Sequence, residues 1–197
     1  MILVIGPLVK GDSRQRMWTV QVATYVVTLI ATAAASGAVL GFIGAQLFDR
    51  LPAAFGALAV LTVVLALVEV GLLRWHLPQR HWQMPRDWLR HRGFGYPVMF
   101  GATIGVGVLT RAPFASFHAM LAWQAVMGSI GLGALMGMAY GVARASAPII
   151  SAHLSDGLGT ALVQSTWWVV QRERVWHLLN GISLALAAGA IVRALLV

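Results

Sequence analysis

The chain has 197 residues, of which 59% are hydrophobic and only 10% charged, with 14 Lys+Arg against 6 Asp+Glu and a formal charge of +8. A soluble domain usually carries about a quarter charged residues to cover its surface, so the composition argues against a soluble enzyme, a nucleic-acid-binding domain and a disordered tail. The sequence contains no cysteine, which excludes disulfides, thiolate metal sites and cysteine nucleophiles.

The charges cluster and leave uncharged runs at Met17–Phe48, Leu51–Val68 and Ala112–Ala143. Apolar runs of about 18 residues or more read as membrane spans. The sequence therefore predicts an all-α polytopic membrane bundle of about five transmembrane helices, forming a single domain over 17–197 behind an N-terminal cytoplasmic or interfacial segment, 1–16. That segment is apolar over Met1–Val9 and interrupted by Gly6-Pro7. Its basic residues Lys10, Arg14 and Arg16 follow the apolar stretch, the reverse of a signal peptide, so no cleavage is expected.

The first helix is expected over about Met17 to Phe48, longer than one perpendicular crossing requires and therefore tilted or extended past the interface. Asp49-Arg50-Leu51-Pro52 is a short turn, so a second helix, about Ala53 to Trp75, returns antiparallel. The next segment carries Arg74, Arg80, Arg86, Arg90 and Arg92 with Trp75, Trp82 and Trp88 interleaved, a composition suited to a cytoplasmic headgroup layer. A third stretch, Phe94 to Met127, is too long for one straight span and is broken by Thr110-Arg111-Ala112-Pro113, where proline must kink or unwind it. The fourth helix is expected over about Ser129 to Leu154, with Pro148 late in its course. Ser155 to Val175 reads as a loop, and a last helix covers about Trp176 to Leu196. Five crossings with a cytoplasmic N-terminus put both basic loops inside and the C-terminus on the opposite side, as the positive-inside rule asks.

Small residues recur every fourth position at Gly37/Gly41, Gly101/Gly105, Gly133/Gly137/Gly141 and Gly181/Ala185/Gly189. Such smooth ridges let membrane helices approach closely and gain packing energy that the hydrophobic effect no longer supplies.

The second half also has a family-like order: Gly101-Ala-Thr-Ile-Gly105, Leu109-Thr110-Arg111-Ala112-Pro113-Phe114, Gly133 to Gly141 with Tyr140, Pro148, then Asn180-Gly181-Ile-Ser-Leu. This order resembles the transmembrane domain of the CcdA/DsbD family, which passes reducing equivalents across membranes. The resemblance implies the family's helix bundle, with a glycine-rich helix ending in a Thr-Pro-Cys break. Ala112 stands where the family's thiol would be, and the helix bearing its other cysteine has no counterpart ahead of Met17. Disulfide exchange needs one thiolate to attack and another to resolve, so thiol redox chemistry is impossible and the chain reads as a redox-dead relative.

Ionisable residues at membrane depth cost about 2.5 kcal/mol or more and are functional candidates. Arg111 lies at the helix break beside Thr110 and Pro113, with His118 about two turns on. It either contributes to a substrate or ion site in unwound backbone or snorkels to the interface. Glu69 is placed near the cytoplasmic end of its helix, within reach of Arg74. Arg144 and Asp156, straddling Pro148, form a second expected pair. His118 and His153 lie in apolar surroundings and could ligate a haem iron or a chlorophyll magnesium, or simply hydrogen-bond to neighbours. No paired histidine spacing, catalytic triad, phosphate loop or carboxylate pair stands out, so neither a metal centre nor an enzyme is expected. Two functions remain. The first is a non-catalytic accessory or scaffolding subunit of a larger membrane complex, associating with the lipid bilayer and with other membrane subunits or itself, and with no nucleic acid. The alternative is a small-solute or ion transporter using the broken helix around Thr110–Pro113.

Overall fold

A computed structural model describes residues 12–48, 52–75, 77, 95–107, 114–154 and 172–196. Among these residues there are six helices and no strand: α1 Asp12–Phe48, α2 Pro52–Val70, α3 Gly95–Gly105, α4 Ala115–Val126, α5 Ile130–Leu154 and α6 Glu173–Leu196. Three of them contain segments long and apolar enough to cross a membrane, Thr19–Phe48, Ala53–Val70 and Arg174–Leu195. Threonines inside the helices spend their hydroxyls on the preceding turn, as Thr32 does on the Thr28 carbonyl and Thr62 on that of Leu58, both at 2.7 Å. These hydroxyls are thereby satisfied within their own helices.

The 37 residues of α1 make a rod about 55 Å long, and the other helices can be placed by their height along it. Helix α5 runs antiparallel to α1. A Cβ built on Gly37 would strike the Gly133 backbone, one on Gly137 the Ala33 backbone, and one on Gly141 the Cα of Ile30. The glycine ridges expected from the sequence thus interlock, and backbone meets backbone. Helix α3 runs parallel to α1, since Gly101 abuts Tyr25 and Leu29 while Gly105 abuts Leu29 and Thr32. Helix α4 continues in the same direction: Gly44 of α1 lies on Ala125. Ala115, ten residues earlier, falls about 15 Å lower along α1, close above the level reached by Gly105. Among the described residues the third apolar stretch thus holds two short helices, α3 and α4, that run in the same direction along α1.

Helices α2 and α6 form an antiparallel pair against α4. Leu65 and Ala66 of α2, Ala115 and Ala119 of α4 and Leu184 of α6 make one core cluster, with Leu77 packed on it. Leu58, Ala59 and Ile191 make another, covered by Ala122, Trp123 and Val126. A third joins Tyr25 and Leu29 of α1 to Ile104 of α3 and Ala145 of α5. The two short helices therefore belong to different surroundings. Helix α3 leans on α1, while α4 is set among α1, α2, α5 and α6.

Helix α2 ends at Val70, five residues before the expected Trp75. Gly71 adopts φ +83, Leu72 N–H reaches back to the Leu67 carbonyl at 3.0 Å, and Gly71 N–H reaches that of Val68 at 3.1 Å. This is the glycine-terminated helix stop, and the positive φ suits glycine because it has no Cβ. Helix α5 runs through Pro148 to Leu154, as the sequence predicts.

Candidate functional site

The site forms where α4 begins. Phe114 precedes it in an extended conformation, φ −108 and ψ 140, and offers no side chain to cap the helix. The first amide groups of a helix have no acceptor of their own and carry the positive end of its dipole. The Glu69 carboxylate, reaching across from the last turn of α2, supplies one. Its Oε2 accepts the Ala115 N–H at 2.7 Å.

The other oxygen, Oε1, lies 2.7 Å from Nδ1 of His177, one turn into α6. The carboxylate side chain is 3% exposed and the imidazole 30%. The Phe114 ring stands 5.2 Å from that of His177 and covers one side. Glu69 therefore ties three helices together, and both of its oxygens are engaged. One turn along α6 from His177, the Nδ2 atom of Asn180 is buried with no hydrogen-bond partner, which leaves a donor unused on a neighbouring position of the same helix.

The sequence-predicted residues distribute as follows. Glu69 does find a partner able to carry positive charge, but within 4 Å that partner is His177. The expected Arg74 lies exposed in the turn that follows Gly71. Early termination of α2 explains the difference: the chain turns away after Val70, so Arg74 no longer sits one helical turn from Glu69. Arg144 is half-buried; its Nη1 donates to the Tyr140 hydroxyl at 2.9 Å and its guanidinium stands 5.7 Å from that ring's centre. Its expected partner Asp156 lies outside the described residues, as do Thr110, Arg111 and Pro113, and the side chain of His153. His118 is half-buried on α4 beside Phe117, their rings edge to face at 5.8 Å. Among the described residues no group of three or more His, Asp or Glu is arranged to hold a metal ion.

His177 was not among the residues expected to function. It is the one histidine within α6, three residues after Arg174 and inside an otherwise apolar run. An ionisable ring in such a run implies a partner elsewhere in the chain, and that is the signal by which it could have been found.

Against known proteins, no family model, no curated protein and no solved structure matches the chain.

Proposed function

We propose that the chain is a multi-pass membrane protein that moves a small solute or ion along its broken third crossing. In this reading the scaffold is CcdA/DsbD-like and crosses the membrane five times, with the N-terminus and both basic loops cytoplasmic and the C-terminus opposite. Lacking thiols, it uses the shape of that scaffold without its redox chemistry. The observation that carries the proposal is the start of α4, where the buried Glu69 carboxylate takes the Ala115 N–H and meets the imidazole of His177. Discontinuous helices in transporters place polar backbone at depth, where it lines a path rather than meeting lipid. Here the start of α4, closed by the Glu69 carboxylate, and the Glu69–His177 pair supply polar groups inside the bundle.

The test is release from proteoliposomes loaded with a defined mixture of amino acids, phosphate and alkali cations, the effluent being read by mass spectrometry and atomic emission. One component should leave several-fold faster than from protein-free vesicles, and Glu69→Gln should slow it.

A second reading is favoured by one observation on α6. Gly181 of its small-residue ridge packs on Val70 and Ala66, whereas Ala185 is exposed and a Cβ on Gly189 would meet nothing within 4 Å. That open stretch suits a helix of another subunit, as an accessory role would require. Stoichiometric partner chains retained through purification in mild detergent, with no component released from proteoliposomes, would select this reading instead.

A further inference from the structure

We infer that the end of the α2/α6 pair bearing Arg74 and Arg174 binds an anionic phospholipid, its phosphate on the arginines and its acyl chains along the exposed side of α6. This goes beyond the transport reading and holds whether or not a solute moves through the bundle. It needs only that the chain lies in a bilayer.

His177 meets Glu69 one residue before α2 ends, and Gly181 lies on Val70. The end of α2 and the start of α6 therefore share one end of the antiparallel pair. Arg74 follows Gly71 by three residues, and Arg174 precedes His177 by three, about 4.5 Å along α6. Both are exposed, and among the described residues neither forms an ion pair. Arg172, also exposed, already has another interaction, so Arg74 and Arg174 carry the site. Glu173 begins α6 between Arg172 and Arg174, and its side chain lies outside the described residues. Within 70–75 and 172–177 it is the one acid against three arginines. Nearby Glu69 is spent on Ala115 and His177. The C-terminal end of α2 and the N-terminal end of α6 carry opposite partial charges that offset each other, which leaves the arginines to set the sign.

The exposed side chains change in kind toward this end. Leu186, Ile182, Leu179 and Leu178 form an exposed apolar stripe on α6, about 12 Å long. Next come the indoles of Trp176 and Trp75, 39% and 55% exposed, the residue type that settles at the boundary between acyl chains and headgroups. Arg174 and Arg74 are their neighbours in sequence. Apolar stripe, indole, guanidinium is the order a phospholipid meets from its chains to its phosphate. A guanidinium offers phosphate both charge and paired N–H donors. A headgroup of net negative charge gains more here than a zwitterionic one, whose ammonium offsets its own phosphate.

The experiment counts lipids retained by the full-length protein in native mass spectrometry, after purification in dodecyl maltoside and titration with dioleoyl phosphatidylglycerol or dioleoyl phosphatidylcholine. Each arginine near an anionic lipid surface changes binding about fivefold. Wild type should therefore prefer phosphatidylglycerol by about 25-fold, and Arg74→Gln and Arg174→Gln should each reduce that preference about fivefold. The double variant should show none. Both side chains are exposed, so its thermal unfolding should match wild type. Changing both to lysine keeps the charge and should retain most of the preference. Arg86→Gln with Arg90→Gln removes the same charge from outside this end and should bind as wild type does. Equal retention of the two lipids by wild type overturns the inference, as does a preference that survives in the double glutamine variant. An equal loss in the Arg86/Arg90 variant also overturns it, since the attraction would then be diffuse. A native mass of two chains that only the Arg74/Arg174 variant loses would give this end to a second copy instead.

Discussion

Replacing Glu69 with alanine removes the acceptor for the first N–H of α4 and leaves His177 facing a small apolar side chain. Phe114 has no side-chain cap to offer in its place. A buried N–H without an acceptor costs about 1–3 kcal/mol. Loss of negative charge at a partly buried helix N-terminus adds about 0.3–2 kcal/mol. The imidazole, 30% exposed, is screened by solvent and adds about 0–1 kcal/mol. A total of about 3 kcal/mol follows, which for a chain of this size lowers the melting temperature by about 6–12 °C. Glu69→Gln keeps an acceptor in place and loses only the charge, so about 1 kcal/mol and about 2–4 °C are expected. Tryptophan fluorescence during heating in a fixed detergent gives both values. Amide exchange at the first turn of α4 should rise in Glu69→Ala and stay near wild type in Glu69→Gln. A melting temperature for Glu69→Ala within about 1 °C of wild type would mean that the carboxylate does not hold this junction, since even the lower bound for an orphaned N–H predicts more.

Other outcomes follow from the packing. Gly37→Ala would drive a Cβ into the Gly133 backbone, where its carbonyl carbon lies 2.9 Å away; neither backbone can yield as a side-chain tip could, so a loss of about 1–3 kcal/mol is expected in thermal unfolding. The control is Gly56→Ala, where nothing lies within 4 Å, and helix propensity should make that change neutral or stabilising by up to about 1 kcal/mol. Gly71→Ala places a Cβ on a residue at φ +83 and should cost about 1–2 kcal/mol, with faster amide exchange at Leu72. Tyr140→Phe removes the hydroxyl that accepts from Arg144 and should lower stability by about 1 kcal/mol without changing helix content by circular dichroism.

Much of the helical layout can be read from local pattern. The helix ending at Phe48, the start of α5 after Gly128-Ser129 and the last helix to Leu196 all fall close to where uncharged runs and turn residues place them. The third stretch is interrupted as its length suggests, but α3 stops already at Gly105, with Gly107 at φ +70, and Thr110–Pro113 lie outside the described residues. The end of α2 was harder to read, because Leu72 and Leu73 continue the apolar run and only the left-handed Gly71 stops it. The glycine ridges were visible one helix at a time. Which ridge meets which is a property of the antiparallel pairing of α1 with α5, and no local signal carries it. The same holds for the site: Glu69 stands out as an acid in an apolar run, but its partner lies 108 residues away. Proximity along the chain favours Arg74, and it was the packing of α6 on α2 that supplied His177.

The separation of those two residues also has a consequence for how the protein is made. At a ribosomal rate of about 5–20 residues per second, the 108 positions between them take about 5–20 seconds to synthesise. Through that interval the acid on the second helix has no base opposite it, and the nascent bundle cannot close around α4 until its final helix has been delivered. Chains arrested before Trp176 would lack the imidazole that meets Glu69 in the finished structure.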